Sequence, residues 1–246
     1  MKYFKLAAMV LLSTFSLLII SGSSKSSEEE YNTVEDSVLE SFLDEYGFAT
    51  FDGLDPHNGE GEHPLKLAVD TGNFEVARML IAEGVNTDIM YTLGIDHAGL
   101  FECGMPAEDV EEVSELYGEV EIVDVDRMTE GMPNPVLELT FENDTSKTLV
   151  LDLIETDHSI WRIWRIVIFS DRFINEEGIS IGSTFEDLED NYLIDGVYWG
   201  EGGEPCAVVE SVGMSFILEE GDWWQMGEVV GEIPGGTRII IILKWK

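Results

Sequence analysis

Two stretches of this sequence repeat one another at almost constant spacing, and this repeat constrains the fold more than any other feature. Residues 104–112 align with residues 182–190 at an offset of 78, and Gly118 falls on Gly196 at the same offset. Each stretch places a glycine-containing turn before an acidic run of helical periodicity. The pattern is typical of an internal duplication. The alternative is a chance similarity between two segments that each form a helix and a hairpin.

The alignment continues through the strands, with a small change in spacing. Residues 137–141 match residues 214–218 at an offset of 77, and residues 161–163 match residues 237–239 at an offset of 76. A drift of one residue at a time across turns is what a diverged duplication leaves. The sequence therefore predicts two modules of one design.

Each predicted module is one helix followed by an antiparallel sheet, so the predicted fold class is α+β. The first module covers 95–173 and the second covers 174–246. Helical periodicity marks Pro106–Tyr117 and Thr184–Tyr192, and turn-forming clusters separate the strand-like runs. Those runs are Glu119–Val125, Pro135–Phe141, Thr148–Ile154, Trp161–Phe169, Asp195–Trp199, Ala207–Ser211, Gly213–Glu219, Glu228–Glu232 and Arg238–Trp245.

A small helical unit precedes the modules at 32–94. Apolar residues at helical spacing predict a helix from Val34 to Tyr46. Residues 53–86 then resemble a single ankyrin repeat, because the run from His63 to Ala68 (HPLKLA) matches the family's Thr-Pro-Leu-His-x-Ala. The resemblance implies two short helices, and a plain helical hairpin is the alternative. One repeat cannot bury its own faces and about three are usually needed, so neighbouring elements must cover it.

The N-terminal residues have the pattern of a secretory signal peptide at 1–23. Lys2 and Lys5 precede fifteen uncharged residues, and small residues follow around Ser23. The apolar run is shorter than the roughly 20 residues of a membrane-spanning helix. An uncleaved N-terminal anchor is the alternative. Residues 24–31 follow as a polar linker, so the sequence predicts a periplasmic or extracellular protein with no stable membrane insertion after cleavage.

The chain is very acidic, with 50 Asp and Glu residues, 13 Lys and Arg residues and a formal net charge of −37. A field of this sign and size repels phosphate backbones, which excludes nucleic acid as a partner. It favours a cationic protein partner or a salty habitat. A heavily solvated surface is the alternative explanation of the same composition.

Motifs of known catalytic sites are absent from the sequence: G-x-S-x-G, the P-loop, a complete G-x-G-x-x-G and H-E-x-x-H. The histidines lack partners at metal-ligand spacing: His57, His63, His97 and His158. Residues 55–60 and 143–145 could bind Ca²⁺ through oxygens, but neither has the spacing of a calcium loop. We therefore predict no catalytic residue, no metal site and no cofactor. A hydrolase with acidic residues that cannot be singled out stays open, as does a structural envelope component.

Cys103 and Cys206 are the only cysteines of the chain. An exported protein could join them, and closing a loop of about 100 residues would contribute up to ~4–5 kcal/mol in the chain-entropy model. Two buried thiols are equally consistent with the sequence.

Tryptophans are the best candidates for a binding surface. Trp223 and Trp224 are adjacent, and alternate residues of a strand face opposite sides, so both indoles cannot enter one core. One of the two is expected to be exposed, and exposed Trp often anchors protein interfaces. Trp199, in a predicted strand of the same module, is the third candidate.

The modules also resemble known exported proteins. The first helix opens with the run from Gly104 to Val110 (GMPAEDV) and closes at Leu116-Tyr117-Gly118, which is similar to lipoproteins of the outer-membrane-assembly type. A tandem pair of such modules resembles the β-lactamase-inhibitor-protein architecture, and residues 177–184 resemble exported proteins of Bacteroidetes. The resemblance implies an exported protein-binding protein, an inhibitor or modulator of an envelope or extracellular enzyme. The acidity, the helical unit and the lack of a lipid-anchor cysteine depart from the pattern, so no functional residue is carried over.

Overall fold

The computed structural model describes residues 37–48, 57–59, 61–129, 132–142, 144, 147–156 and 159–245. The predicted signal peptide at 1–23 and the linker at 24–31 lie outside the described residues, as do His158 and parts of both candidate calcium turns. Within the described ranges, no helix is long and apolar enough to span a membrane.

The described part of the helical unit contains α1 (37–45), α2 (Pro64–Asp70) and α3 (Phe74–Ala82). Proline suits the first turn of α2, where its missing N–H would have no helical partner. The Nδ1 atom of His63 accepts a hydrogen bond from the N–H of Leu65 at 3.2 Å, so His63 caps α2. Threonine holds the matching position in the ankyrin pattern. The ankyrin resemblance itself stays a prediction.

Both modules contain one helix and four long strands in the same order, which gives the protein an α+β fold. Module 1 comprises α4 (Val110–Glu115), β4 (Val120–Thr129), β5 (Met132–Phe141), β6 (Leu149–Glu155) and β7 (Trp161–Ile168). Module 2 comprises α5 (Phe185–Asn191), β9 (Gly196–Trp199), β10 (Pro205–Val209), β11 (Met214–Leu218) and β14 (Ile239–Trp245).

Short strands complete the structure. Four of them form a small sheet in the order β3-β2-β1-β8: β1 (Thr92–Leu93), β2 (His97–Ala98), β3 (Phe101–Glu102) and β8 (Ile174–Asn175). A further hairpin, β12 (Trp224–Gln225) and β13 (Glu228–Val229), lies between β11 and β14. The predicted strand Glu228–Glu232 is therefore shorter than expected.

The eight long strands form one continuous antiparallel sheet in the order β4-β5-β6-β7-β14-β11-β10-β9. The last strands of the two modules pair at its centre, where Ile168 lies opposite Ile242 and Arg165 lies opposite Trp245. Each module then extends outward from this pair through its third, second and first strands. The sheet thus has an internal pseudo-twofold arrangement of strands.

Equivalent backbone hydrogen bonds hold the segment before each helix to the last strand of its module. The Gly104 N–H donates to the Ile163 carbonyl at 2.7 Å, and the Gly182 N–H donates to the Ile239 carbonyl at 2.9 Å. The return bonds are also equivalent, from Ile163 to Met105 at 3.0 Å and from Ile239 to the carbonyl of residue 183 at 2.8 Å. These pairs are related by the offsets of 78 and 76 found in the sequence.

A β-bulge recurs at the same place in both modules. The β6–β7 pairing shifts register between Asp152 and Leu153, and the β11–β14 pairing shifts between Ile217 and Leu218. Trp164 is the extra residue in β7 and Ile240, 76 residues later, is the extra residue in β14. Bulges are specific features that families preserve, so a shared bulge supports an internal duplication.

The sequence alignment is wrong for the middle strands. Leu151 lies opposite Ile166 and Phe216 lies opposite Ile242, so β11 is the counterpart of β6 rather than of β5. The offset there is 65, not 77. In module 2 the first hairpin is shorter, and a longer segment that carries β12 and β13 separates the last two strands. The residues missing from the first hairpin and those added before the last strand are nearly equal in number. The sequence offset before and after the middle strands therefore stays at 78 and 76.

The matched glycines are also not equivalent. Gly196 pairs with Val208, the counterpart of Glu138, and Glu138 pairs with Val123. Gly196 therefore occupies the position of Val123, whereas Gly118 precedes β4.

The two faces of the large sheet differ in what they pack against. One face belongs to a core that includes buried residues of the helical unit and both modules, among them Phe42, Leu80, Val113, Phe173, Leu188 and Ile242. The other, here called the open face, carries a small apolar cluster of Val136, Val150 and Val167. The helical unit thus shares its core with both modules, as a single helical repeat requires.

Candidate functional site

Exposed apolar side chains are concentrated at the β9 edge of the large sheet. Trp199 is 63% exposed and Tyr198 is 56% exposed on β9 itself, and Met226 is 95% exposed on the β12–β13 hairpin. Val229 and Val230 continue this exposed set along the hairpin. Tyr198 and Trp199 are adjacent on β9 and therefore face opposite sides of the sheet. Trp199, Met226, Val229 and Val230 are here called the β9 edge surface. Contiguous exposed apolar surface on a folded chain is typical of interaction sites.

The β12–β13 hairpin packs directly against Trp199. A β-carbon at Gly227 would lie 2.0 Å from a carbon of the Trp199 indole, so only glycine allows this approach. On the β9–β10 loop, a β-carbon at Gly203 would lie 3.0 Å from the indole nitrogen. The indole of Trp224 donates a hydrogen bond to the Gly203 carbonyl at 3.0 Å. Gly203 and Gly227 therefore allow backbone to pack against the ring of Trp199, which remains mostly solvent-exposed.

Met226 occupies a backbone conformation that its residue type disfavours. Its φ is +52° and that of Gly227 is +82°, so both central residues of this two-residue hairpin loop are left-handed. Such loops prefer Asn, Asp or Gly at the first of these positions. A long apolar side chain is thus held in a strained conformation at the tip of a hairpin and faces solvent.

The tryptophan pair differs from the sequence prediction. Trp223 lies in the turn before β12, is only 7% exposed and joins the core, so it is not an exposed anchor. Trp224 on β12 is half-buried, and the two ring centroids are 6.1 Å apart. The alternation argument fails because only one of the two indoles belongs to a strand. Of the three predicted binding residues, Trp199 is the most exposed.

An ion-pair network on the open face connects the modules. Arg165 on β7 donates from Nε to Asp152 Oδ2 at 2.6 Å, and it makes two hydrogen bonds to Glu201, at 2.6 and 3.1 Å. Asp152 is 1% exposed, and its other oxygen lies 4.0 Å from the guanidinium of Arg127. The hydrogen bonds from Arg165 lower the pKa of Glu201. Glu201 belongs to the β9–β10 loop, so this network ties that loop to module 1.

A cavity of about 620 Å³ opens between α2, the segment around β1 and β2, and residues 175–177. Its ionisable groups are largely paired with one another. Lys66 contacts Asp70 and lies 3.0 Å from Glu102. Burial alone would lower the pKa of Lys66, but the hydrogen bonds and charges of the two carboxylates raise it.

Two further polar groups of this cavity also have partners. The Tyr192 hydroxyl accepts from Asn175 at 2.6 Å and donates to Glu177 at 2.5 Å, and burial together with Glu177 raises its pKa. His97 Nδ1 lies 3.2 Å from Asp96. The described residues around this cavity thus offer ion pairs but no nucleophile activated by a base.

The cysteines are not joined to each other by a disulfide. Cys103 follows β3, and its thiol lies 3.9 Å from the Lys244 carbonyl on β14. Cys206 is on β10, which is two strands away from β14. Among the described residues, no cluster of three or more histidines, cysteines or carboxylates is arranged to hold a metal ion.

Solved structures similar to this chain include an uncharacterized bacterial protein. No protein-family model and no curated protein matches the chain. The uncharacterized protein yfeY from Escherichia coli is similar to it with a TM-score of 0.47 and 13% sequence identity, over 63% of this chain and 99% of that chain. A likeness of this degree carries no argument about function.

Proposed function

We propose that this chain is an exported protein-binding protein and that its partner docks on the β9 edge surface. The proposal of export rests on the signal-peptide pattern of residues 1–23. The narrower role, as an inhibitor or modulator of an envelope or extracellular enzyme, is proposed from the resemblance of the tandem modules to inhibitor proteins.

The observation that carries the proposal is an exposed Trp199, packed against the β12–β13 hairpin, beside an exposed and strained Met226. Large aromatic side chains that are held rigid before binding lose little entropy when a partner covers them. Trp is enriched among the residues that dominate binding energy. Backbone strain at an exposed side chain is found mostly where function requires it. Each of these properties supports a docking role for the surface.

The hydrolase alternative has weaker support. The cavity beside α2 is within the size range of ligand pockets, but the charges of Lys66 and its carboxylate partners largely compensate one another. Catalytic carboxylates are recognised by environments that push two pKa values apart around a reacting group. The contacts around Lys66 and Tyr192 are instead those of a structural ion-pair network.

A photo-reactive amino acid at position 226 tests the proposed function. The full chain carrying it is irradiated in envelope extract, beside a control in which the probe replaces Leu193, which is 83% exposed on the same module. We expect a discrete adduct from position 226 and none from position 193. Trp199→Ala in the same chain should reduce the adduct strongly, because losing an interface anchor costs about 2 kcal/mol or more, roughly thirtyfold in affinity.

Two results would contradict the proposed function. One is equal labelling from positions 226 and 193, which would mean that no partner prefers this surface. The other is substrate turnover by the purified chain that Trp199→Ala leaves unchanged, which would favour the hydrolase.

A further inference from the structure

We propose that the β9 edge surface recognises a basic segment of its partner protein, with an Arg or Lys side chain lying over the exposed indole of Trp199. This inference rests on the proposed function and specifies the chemistry of the partner. It is carried by the distribution of charge along the chain and by the cation–π contacts that two aromatic side chains of module 1 make.

The segment of the sequence that carries this surface has charges of one sign only. Residues 173–237 contain 15 Asp and Glu residues and not one Lys or Arg. Asp195, Glu228 and Glu232 are exposed within or beside the elements that form the surface. Apolar surface flanked by uncompensated carboxylates is complementary to a cationic partner, which it also attracts over distance.

In module 1, unlike at Trp199, two aromatic rings have a cation of the chain over them. The guanidinium of Arg165 lies 4.7 Å from the ring centroid of Trp164, and the ammonium of Lys147 lies 5.2 Å from that of Phe169. These are the distances of cation–π contacts. In the described part of the chain, both such contacts belong to aromatic residues of module 1. Trp199 is more exposed than Trp164, and its sequence neighbourhood holds no cation that could fill the same role.

A second copy of the chain is a poor occupant of this surface. Each copy carries a formal net charge of −37, and bringing two acid-flanked surfaces together would add repulsion without any cation to offset it. A basic segment of another protein meets both requirements, since its aliphatic stems cover apolar surface while its charged groups face the carboxylates and the indole.

The test measures the affinity of the full chain for a synthetic peptide that alternates Arg and Thr, at physiological ionic strength. The reference peptide has citrulline in place of Arg, which keeps the shape and removes the charge. We expect the Arg peptide to bind more tightly than the citrulline peptide. Trp199→Met, which keeps apolar bulk against Gly227 but removes the aromatic face, should weaken Arg-peptide binding about threefold or more.

Trp164→Met is the matched control, because that indole already has Arg165 over it and should leave peptide binding unchanged. Equal losses from the two variants, no loss from either, or no preference for the Arg peptide would overturn the inference. Thermal unfolding of both variants establishes that they are folded. If the cross-linked partner of position 226 presents a neutral or acidic surface, the proposed function stands and this inference fails.

Discussion

The two modules share strand order and register but carry different side chains at equivalent positions of the open face. Asp152 and Arg165 form a buried ion pair beside the bulge of module 1. The equivalent positions in module 2, Ile217 and Ile241, are an apolar pair. The same register, with the same bulge, therefore accommodates either chemistry. Hydrogen bonding and strand order are what the repeat preserves, whereas side chains on one face are free to diverge.

The insertion in module 2 contributes to the proposed binding surface. A short connection joins β6 to β7, whereas a longer segment with its own hairpin joins β11 to β14. That hairpin carries Met226 and packs against Trp199. In module 1, cations lie over the rings of Trp164 and Phe169, whereas module 2 leaves the ring of Trp199 exposed.

Breaking the ion pair of module 1 should have the largest effect on stability. Arg165→Ala leaves Asp152 buried with only Arg127 nearby, at 4.0 Å. We expect a loss of about 3–5 kcal/mol in the free energy of unfolding, the usual result of leaving one buried charge without its partner. Chemical denaturation monitored by circular dichroism measures this value.

The apolar pair of module 2 can also be introduced at the equivalent positions of module 1. The double substitution of Asp152→Ile with Arg165→Ile reproduces the apolar pair of Ile217 and Ile241. Because well-packed apolar residues often replace a buried ion pair without loss, the free energy of unfolding should stay within about 1 kcal/mol of wild type. A double variant as unstable as Arg165→Ala would mean that the two bulges are not equivalent.

Lys244 of β14 and Ile168 of β7 are equivalent buried residues, one charged and one apolar. The Lys244 side chain is fully buried, and its ammonium donates to the carbonyls of Val212, Gly213 and Trp245 at 2.9, 2.8 and 3.2 Å. Burial lowers its pKa. Lys244→Met should cost roughly 1–3 kcal/mol because it removes a hydrogen-bond donor from three part-buried carbonyls.

Ile168→Met is the control for that substitution. A volume-conserving apolar replacement usually costs less than about 1.5 kcal/mol. Equal destabilisation by the two variants would mean that the hydrogen bonds of Lys244 contribute nothing beyond packing.

A smaller effect of opposite sign is expected at the hairpin tip. Met226→Asn places a residue that tolerates left-handed backbone at φ +52°, so it should raise the free energy of unfolding by about 0.5 kcal/mol. The same substitution should weaken partner binding, because it removes an exposed apolar side chain of the β9 edge surface. Unchanged stability would show that this loop is not strained.

The smallest expected effect is a pH dependence of the link between Glu201 and module 1. Arg165 lowers the pKa of Glu201, so this carboxylate stabilises the folded chain above the ordinary pKa of Glu, and the contribution is lost as pH falls through the lowered value. Glu201→Gln should therefore flatten the acid side of the stability curve slightly. Glu228→Gln, at an exposed carboxylate outside this network, is the control.

Much of the fold can be predicted from local patterns. The α+β class follows from one helix and several strand-like runs in each module, and the motif before each helix aligns at the offset that its hydrogen bonds confirm. The order of the middle strands could not be predicted, because a shortened hairpin and an inserted one leave the total spacing almost unchanged. Pairing partners depend on contacts that are distant in sequence.

The candidate site was only partly predictable. The sequence predicts Trp199 as a binding residue, and its side chain is exposed. The sequence also predicts that Trp223 or Trp224 is exposed, but Trp223 is buried in a turn and Trp224 is half-buried. Met226 was missed altogether, although a Met-Gly pair between two strand-like segments is an unusual hairpin loop and could have indicated it. Exposure of single side chains depends on packing between elements, which periodicity along one strand does not report.

Hydrogen exchange of the full chain with and without its cross-linked partner compares the two modules most directly. We expect slower exchange on binding in residues 196–204 and 224–232, which carry the β9 edge surface. We expect no change in residues 123–126, the counterpart of β9 in module 1. Protection confined to module 1, or to the segments around the cavity beside α2, would contradict the assignment of binding to the β9 edge surface.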